Sequence, residues 1–360
     1  MIFETTSDQI RRLDQYQLVD LLRRLIQAEL VKHNIPLRSG TAPAQLTIPD
    51  GGDDGRVEWT AGPVETDWLP NRNTIFQCKK GDPGPSGLKA ETWTKPSKNS
   101  KRTPILSDAM AQVLHNGGAY VVVTAAPVVG TNVDRRVEAI RDGIVETGND
   151  ISALSAVEIY DCNKLSEWTN VHPSVALWLN SLLREVHLGG FQAYEDWAKA
   201  PGIAKGTFVE SQSPRFVLEG RDIQQRAKNH KGILEPKSFA EISHLVGEFF
   251  NSDGKSVRVI GPSGYGKTRF AHQLINQWST SSSSVSEFDN SQTIYCIYDD
   301  VSDRLINIVR EIVDSGSPLL LIVDDCPETI HGRLHNIFIR SGSNGRLVTI
   351  GATSKSLSVS

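Results

Sequence analysis

One short stretch constrains the fold of this chain more than any other. Gly261-Pro262-Ser263-Gly264-Tyr265-Gly266-Lys267-Thr268 fits the spacing G-x-x-x-x-G-K-S/T, directly after the apolar run Val257 to Ile260 and at the start of a helical segment. Strand, glycine loop and helix in that order is the context in which such a loop cradles phosphate. The glycines, Gly261, Gly264 and Gly266 among them, let successive backbone N–H groups converge on phosphate oxygens. The helix that follows adds the positive end of its dipole. Lys267 is expected to reach the β and γ phosphates. The Thr268 hydroxyl suits Mg2+, which keeps several waters and takes few protein ligands.

A second feature follows about 55 residues later. Leu319-Leu320-Leu321-Ile322-Val323-Asp324-Asp325 is a continuous apolar run ending in two carboxylates, as a buried parallel strand carrying a nucleotide-site acid would be. Asp324 is expected to hold Mg2+ through water, and Asp325 to orient or deprotonate the attacking water. Thr353 or Ser354, just past the next strand, is a candidate γ-phosphate contact, though exposed Ser/Thr is the simpler reading. Around these motifs helix and strand alternate: a helix from Ser238, strands at Val257 to Ile260, Thr293 to Tyr298, Leu319 to Asp324 and Arg346 to Ile350, with helices between. The expectation is an α/β domain over residues 237–360.

At about 100 to 200 residues per domain, 360 residues leave room for another. We place it at residues 1–205, with a connector over 206–236 where Pro, Gly and charge mix without a period. Asp14 to Val31 carries Leu18, Leu21, Leu22 and Leu25 at helical intervals and ends before Asn34-Ile35-Pro36. Arg56 to Trp59 and Thr74 to Lys79 read as strands. Residues 81–104, rich in Gly and Pro, read as an open loop. A helix at Ser107 to His115, a strand at Ala119 to Thr124, a helix around Arg135 to Val145 and a strand at Val157 to Tyr160 complete a second α/β pattern. Two helices are expected within 173–198.

This half holds its own constellation. Asp50-Gly51-Gly52-Asp53-Asp54 is followed, 23 residues after Asp54, by Gln77-Cys78-Lys79. Phosphodiester cleavage calls for a hard cation held by converging carboxylates, with a lysine nearby. Gln77 and Lys79 share one face of their strand and Cys78 takes the other. Asp54 begins the neighbouring strand, and Gly51-Gly52 permits a tight backbone there. Glu29, on the apolar stripe of the first helix, is a candidate third ligand. Alternatively it sits at the stripe's edge and reaches water. Residues 79–102 carry seven basic side chains against Asp82 and Glu91, so they are either a strip for the nucleic-acid backbone or a solvated linker. Trp93 either stacks on a base or packs on its own domain. His172 before Pro173 reads as a helix-entry residue with no catalytic role.

Composition excludes other classes. No run approaches the roughly 18 apolar residues that span a bilayer. The N-terminus shows no leader pattern, and Cys78, Cys162, Cys296 and Cys326 lie outside zinc spacings. A cytoplasmic protein with free thiols is expected. A net charge of −4 confines any nucleic-acid contact to a local patch.

Gly266-Lys267-Thr268-Arg269 with Ile322-Val323-Asp324-Asp325-Cys326 resembles the STAND class of signalling P-loop NTPases over residues 238–360. The resemblance implies ATP-driven oligomerisation of an attached effector, and a fifth strand, lid and sensor in a longer protein. Gly51-Gly52-Asp53-Asp54 with Gln77-Cys78-Lys79 resembles the Mrr-type subgroup of PD-(D/E)xK nucleases over about residues 10–125. By that likeness Asp54 binds Mg2+, Gln77 replaces the usual second acid, and Lys79 positions or activates water. Asp50 and Asp53 are alternative registers for the same role.

The expected fold is therefore a restriction-endonuclease-like α/β domain followed by a partial P-loop NTPase α/β domain. Together the resemblances suggest antiviral STAND proteins of bacteria, whose nuclease is idle until a phage protein is sensed. The expected partners are double-stranded DNA, ATP and further copies of the chain, a tetramer among the candidates. The alternative is a nucleotide-regulated scaffold that binds nucleic acid or protein without cutting.

Overall fold

The computed structural model describes residues 4–42, 54–94, 104–183, 189–200, 203, 237–280, 288–314, 316, 318–340, 342 and 344–351. The chain is mixed α/β and divides into two compact units between Leu179 and Asn180. No helix among the described residues is long and apolar enough to cross a membrane.

The N-terminal unit opens with α1 (Ser7–Arg11) and α2 (Gln15–Lys32). Asp14 caps α2: its side chain accepts the Gln17 N–H at 2.8 Å while Gln17 returns a bond to the Asp14 N–H at 2.9 Å. Leu18, Leu21, Leu22 and Leu25 are fully buried, as their spacing requires. The chain turns out of the helix at Asn34, in the left-handed region at φ 54°.

Five strands form the sheet beneath: β1 (Gly40–Thr41), β2 (Gly55–Glu58), β3 (Asn73–Lys79), β6 (Ala119–Thr124) and β7 (Ala156–Tyr160), in that spatial order. β1, β2 and β3 pair antiparallel; β3, β6 and β7 pair parallel. A Cβ on Gly55 would stand 3.2 Å from Leu22, so this glycine lets α2 lie close on one face. The other face is covered by α3 (Pro85–Glu91), α4 (Asp108–His115) and α5 (Thr131–Glu146), whose Leu88, Met110, Ile140 and Ile144 pack with Ile75, Tyr120 and Val122. After β7 come α6 (Cys162–Val171) and α7 (Pro173–Leu182).

Two expectations are corrected here. Of the stretch expected to be an open loop over 81–104, the described residues 81–94 carry regular structure: Pro85 starts α3 with Gly84 as its N-cap, and β4 (Trp93–Thr94) pairs with β5 (Ile105–Leu106). A proline at the first helical position loses no hydrogen bond, so it initiates rather than breaks. The two helices expected within 173–198 are α7 and the short α8 (Tyr194–Ala198), but a strand that was not expected, β8 (Phe191–Ala193), lies between them.

β8 pairs antiparallel with β10 (Thr293–Ile297), so these residues belong to the C-terminal sheet and the boundary falls well before 205. The connector expected over 206–236 lies outside the described residues.

In the C-terminal unit the order is β8, β10, β11 (Leu320–Asp324), β12 (Arg346–Gly351) and β9 (Ser256–Ile260), the last four mutually parallel. β11 and β12 are buried throughout, in keeping with the apolar runs Leu320 to Val323 and Leu347-Val348 within them. The helices Phe239–Asn251 and Lys267–Thr280 pack Phe250, Phe270, Leu274 and Trp278 around Ile322 and Val348. Because β9 and β11 run the same way with only β12 between them, the glycine loop after β9 and the carboxylates ending β11 emerge at the same edge of the sheet.

Candidate functional site

In the N-terminal unit the site gathers where β2 begins and β3 ends. Gly55 faces α2, so strand alternation puts the preceding Asp54 on the opposite side, that of Gln77 and Lys79. The Asp54 amide donates to the Phe76 carbonyl at 2.8 Å. Its Oδ2 accepts the Cys78 N–H at 2.7 Å, so the carboxylate is tied to the backbone between Gln77 and Lys79.

Gln77 is nearly buried at 4% exposure, and both ends of its amide are engaged. Oε1 accepts from the Tyr120 hydroxyl, and Nε2 donates to Glu91 Oε2 at 3.0 Å. Lys79 Nζ donates to the other oxygen, Glu91 Oε1, at 2.7 Å. Burial, with the charges of Glu91 and Asp54 behind it, pushes the Tyr120 hydroxyl well above the usual tyrosine range, so it stays a proton donor. Gln15, at the start of α2, steadies the strand end: its side chain donates to the Cys78 carbonyl and accepts from the Lys80 N–H, each at 2.9 Å.

Glu29 does not join this group. It lies fourteen residues beyond Gln15 on α2, about 21 Å along the axis at 1.5 Å per residue. There its fully buried carboxylate sits 3.1 Å from His33 Nε2 and 3.4 Å from His172 Nε2. Burial acts to raise its pKa, but the contacts with His172, His33 and Thr66 and the charge of Lys32 outweigh burial and hold it below the usual carboxylate range. The two histidines offset the cost of placing an acid on the apolar stripe. His172 ends α6 immediately before α7, the helix entry expected of it.

Glu91 and Tyr120 were not singled out by sequence reasoning. With residues 81–104 read as a loop, nothing placed Glu91 at the end of a helix over the Gln77–Lys79 face. Asp50, Gly51, Gly52 and Asp53 lie outside the described residues, as do Lys95, Lys98, Lys101 and Arg102 of the basic stretch. Within the described part of that stretch, Lys89 pairs with Glu146 at 2.5 Å and Asp82 with Arg136 at 2.5 Å. Trp93 is half-buried opposite Leu106.

Among the described residues no three His, Cys, Asp or Glu side chains converge as a metal cluster. The carboxylates of Asp54 and Glu91 are hard-oxygen donors of the kind suited to Mg2+, which binds through one or two carboxylates and retains water, whereas the Gln77 amide turns its NH2 group toward Glu91.

In the C-terminal unit the loop has the backbone its glycines allow: Gly264 and Gly266 lie at φ 81° and 75°, in the left-handed region. A Cβ on Gly261 would meet the Lys267 side chain at 3.7 Å, so the lysine folds back over the loop, its Nζ donating to the Pro262 carbonyl at 3.0 Å. Thr268 Oγ1 donates to Asp324 Oδ2 at 2.7 Å, bringing the hydroxyl and carboxylate together. The same oxygen accepts from the Tyr295 hydroxyl at 3.0 Å, a residue without a sequence signal of its own. Asp324 Oδ1 accepts the Asp325 N–H at 2.9 Å, and Asp325 projects outward from φ 50°. Thr353 and Ser354 lie outside the described residues. A hydroxyl and a carboxylate beside a glycine loop and a lysine fit Mg2+ with a nucleoside triphosphate.

The sequence finds no match among protein-family models or among curated proteins.

Proposed function

We propose that this chain is a Mg2+-dependent DNA endonuclease governed by ATP, with cutting by the N-terminal unit and nucleotide binding by the C-terminal unit. The observation that carries the first half is the Asp54 carboxylate fixed on the β3 backbone between Gln77 and Lys79. Magnesium, when bound, supplies polarisation of the scissile phosphoryl group and a more acidic water. Asp54 and Glu91 provide the oxygens to hold it. Lys79 provides a cationic donor for a phosphate oxygen or for the attacking water, and its present partner Glu91 keeps the amine at the β3 end. The Asp54 bond to Cys78 N–H means that this ligand needs no reorganisation before use.

In the other unit, Lys267 and the loop amides would hold the phosphates, and Thr268 with Asp324 the accompanying Mg2+. The likeness to STAND proteins supports a switch in which ATP assembles several copies and so brings cutting domains to one duplex. It also supports a role in bacterial antiviral defence, with a phage protein as trigger.

The test uses supercoiled plasmid with Mg2+ or Mn2+ in the presence of ATP. Wild-type protein is expected to nick or linearise it, and Asp54→Ala and Lys79→Ala are expected to abolish cutting while leaving the circular dichroism spectrum unchanged. Cutting that survives both substitutions would defeat the assignment. A protein that binds DNA but never cuts would favour the scaffold reading, for which the neutral Gln77 in the acid position is the supporting observation.

A further inference from the structure

We propose that Glu91 is the second metal-ligating carboxylate of the N-terminal site, and that Gln77 positions Glu91 rather than binding the cation itself. This rests on the nuclease reading above and names a ligand that the sequence motif does not contain.

The orientation of Gln77 is the first argument. The Tyr120 hydroxyl donates to Gln77 Oε1, which turns the NH2 group toward Glu91. Gln77 therefore presents hydrogen-bond donors, not a lone pair, to the side of the site where Glu91 and Lys79 meet. Donors repel a cation and hold an anion.

Charge is the second argument. Asp54, Glu91 and Lys79 together carry one net negative charge; without Glu91 the group would be neutral and would offer a divalent ion little attraction. The acid that the motif lacks at position 77 is thus supplied from position 91, twelve residues past Lys79, by a helix that packs over the same sheet face.

The placement of Glu91 is the third. It closes α3, where the helix dipole disfavours an anion, so its position is explained better by cationic company than by the helix. Its oxygens accept from Gln77 at 3.0 Å and from Lys79 at 2.7 Å, so the carboxylate is held over the face that carries both side chains. A mere surface ion pair with Lys79 would be worth little to the protein and nothing to metal binding.

The test is a Mn2+ titration of the whole chain without nucleotide, followed by electron paramagnetic resonance, on wild type, Asp54→Ala, Glu91→Gln and the double variant Gln77→Glu/Glu91→Gln. Asp54→Ala and Glu91→Gln are each expected to weaken Mn2+ binding by more than about tenfold. The double variant, with a carboxylate restored at position 77, is expected to regain most of it, and plasmid cutting should follow the same order. Wild-type Mn2+ affinity in Glu91→Gln, beside a loss in Asp54→Ala, would overturn the proposal and leave the nuclease reading standing. Failure of the double variant to regain Mn2+ would also overturn it. Absence of any Asp54-dependent Mn2+ site in the wild type would instead bring down the nuclease reading itself.

Discussion

Glu29 shows how far a single residue can be read. Its place on a buried helical face is legible from its spacing to Leu22 and Leu25, and it is fully buried. What answers its charge is not legible, because His172 comes from a distant part of the sequence. The two histidines make Glu29 a stability element. Its folded pKa is depressed from the ordinary 4.5, so its contribution is complete above that pH and is lost as the pH falls toward the depressed value. Glu29→Gln is expected to lower unfolding free energy by about 3 kcal/mol near neutrality, as for other buried pairs deprived of one partner. The gap to wild type should narrow in acid below pH 4.5. Urea melts at a series of pH values check this; a gap that widens in acid would mean that Glu29 is not the charged partner.

Elements were read from sequence where a period, an apolar run or a glycine motif marks them. The leucine spacing of α2, the apolar β6 and the glycine loop after β9 all announce themselves locally, and the structure places them within a residue or two of expectation. α3 and β8 did not, since a seven-residue helix beginning in Gly and Pro and a three-residue edge strand carry too few positions to show a period. The site suffers from the same gap, for Glu91 becomes visible only once α3 exists. The pairing of β3 with β6 depends on Gly118, where an added Cβ would fall 2.3 Å from the Asn73 carbonyl oxygen. Backbone cannot rotate away as a side chain would. Gly118→Ala is therefore expected to cost about 1–3 kcal/mol and to lower the urea midpoint, whereas exposed Gly87, with nothing within 4 Å, should accept alanine without loss.

For the whole molecule, the alternation of helix and strand was enough to expect two α/β units, and their division within α7 was hidden because no break in composition marks it. The site residues Asp54, Gln77, Lys79 and Glu91 belong to one unit, and Lys267, Thr268 and Asp324 to the other. Ligands should therefore stabilise the units selectively. In scanning calorimetry, Mg2+ with ATP is expected to raise the transition of the C-terminal unit, by the equivalent of about 2.7 kcal/mol at a hundredfold excess over Kd, and Lys267→Ala should erase the shift. An unchanged shift in that variant would count against the glycine loop as the phosphate site.

On the proposed reading, with cutting assigned to one unit and nucleotide binding to the other, the division of the chain has a genetic corollary. A copy disabled at Lys79 would keep its nucleotide unit and, if ATP assembles copies as proposed, would still join its siblings, so in a mixed population such an allele is expected to act as a dominant spoiler rather than a silent loss.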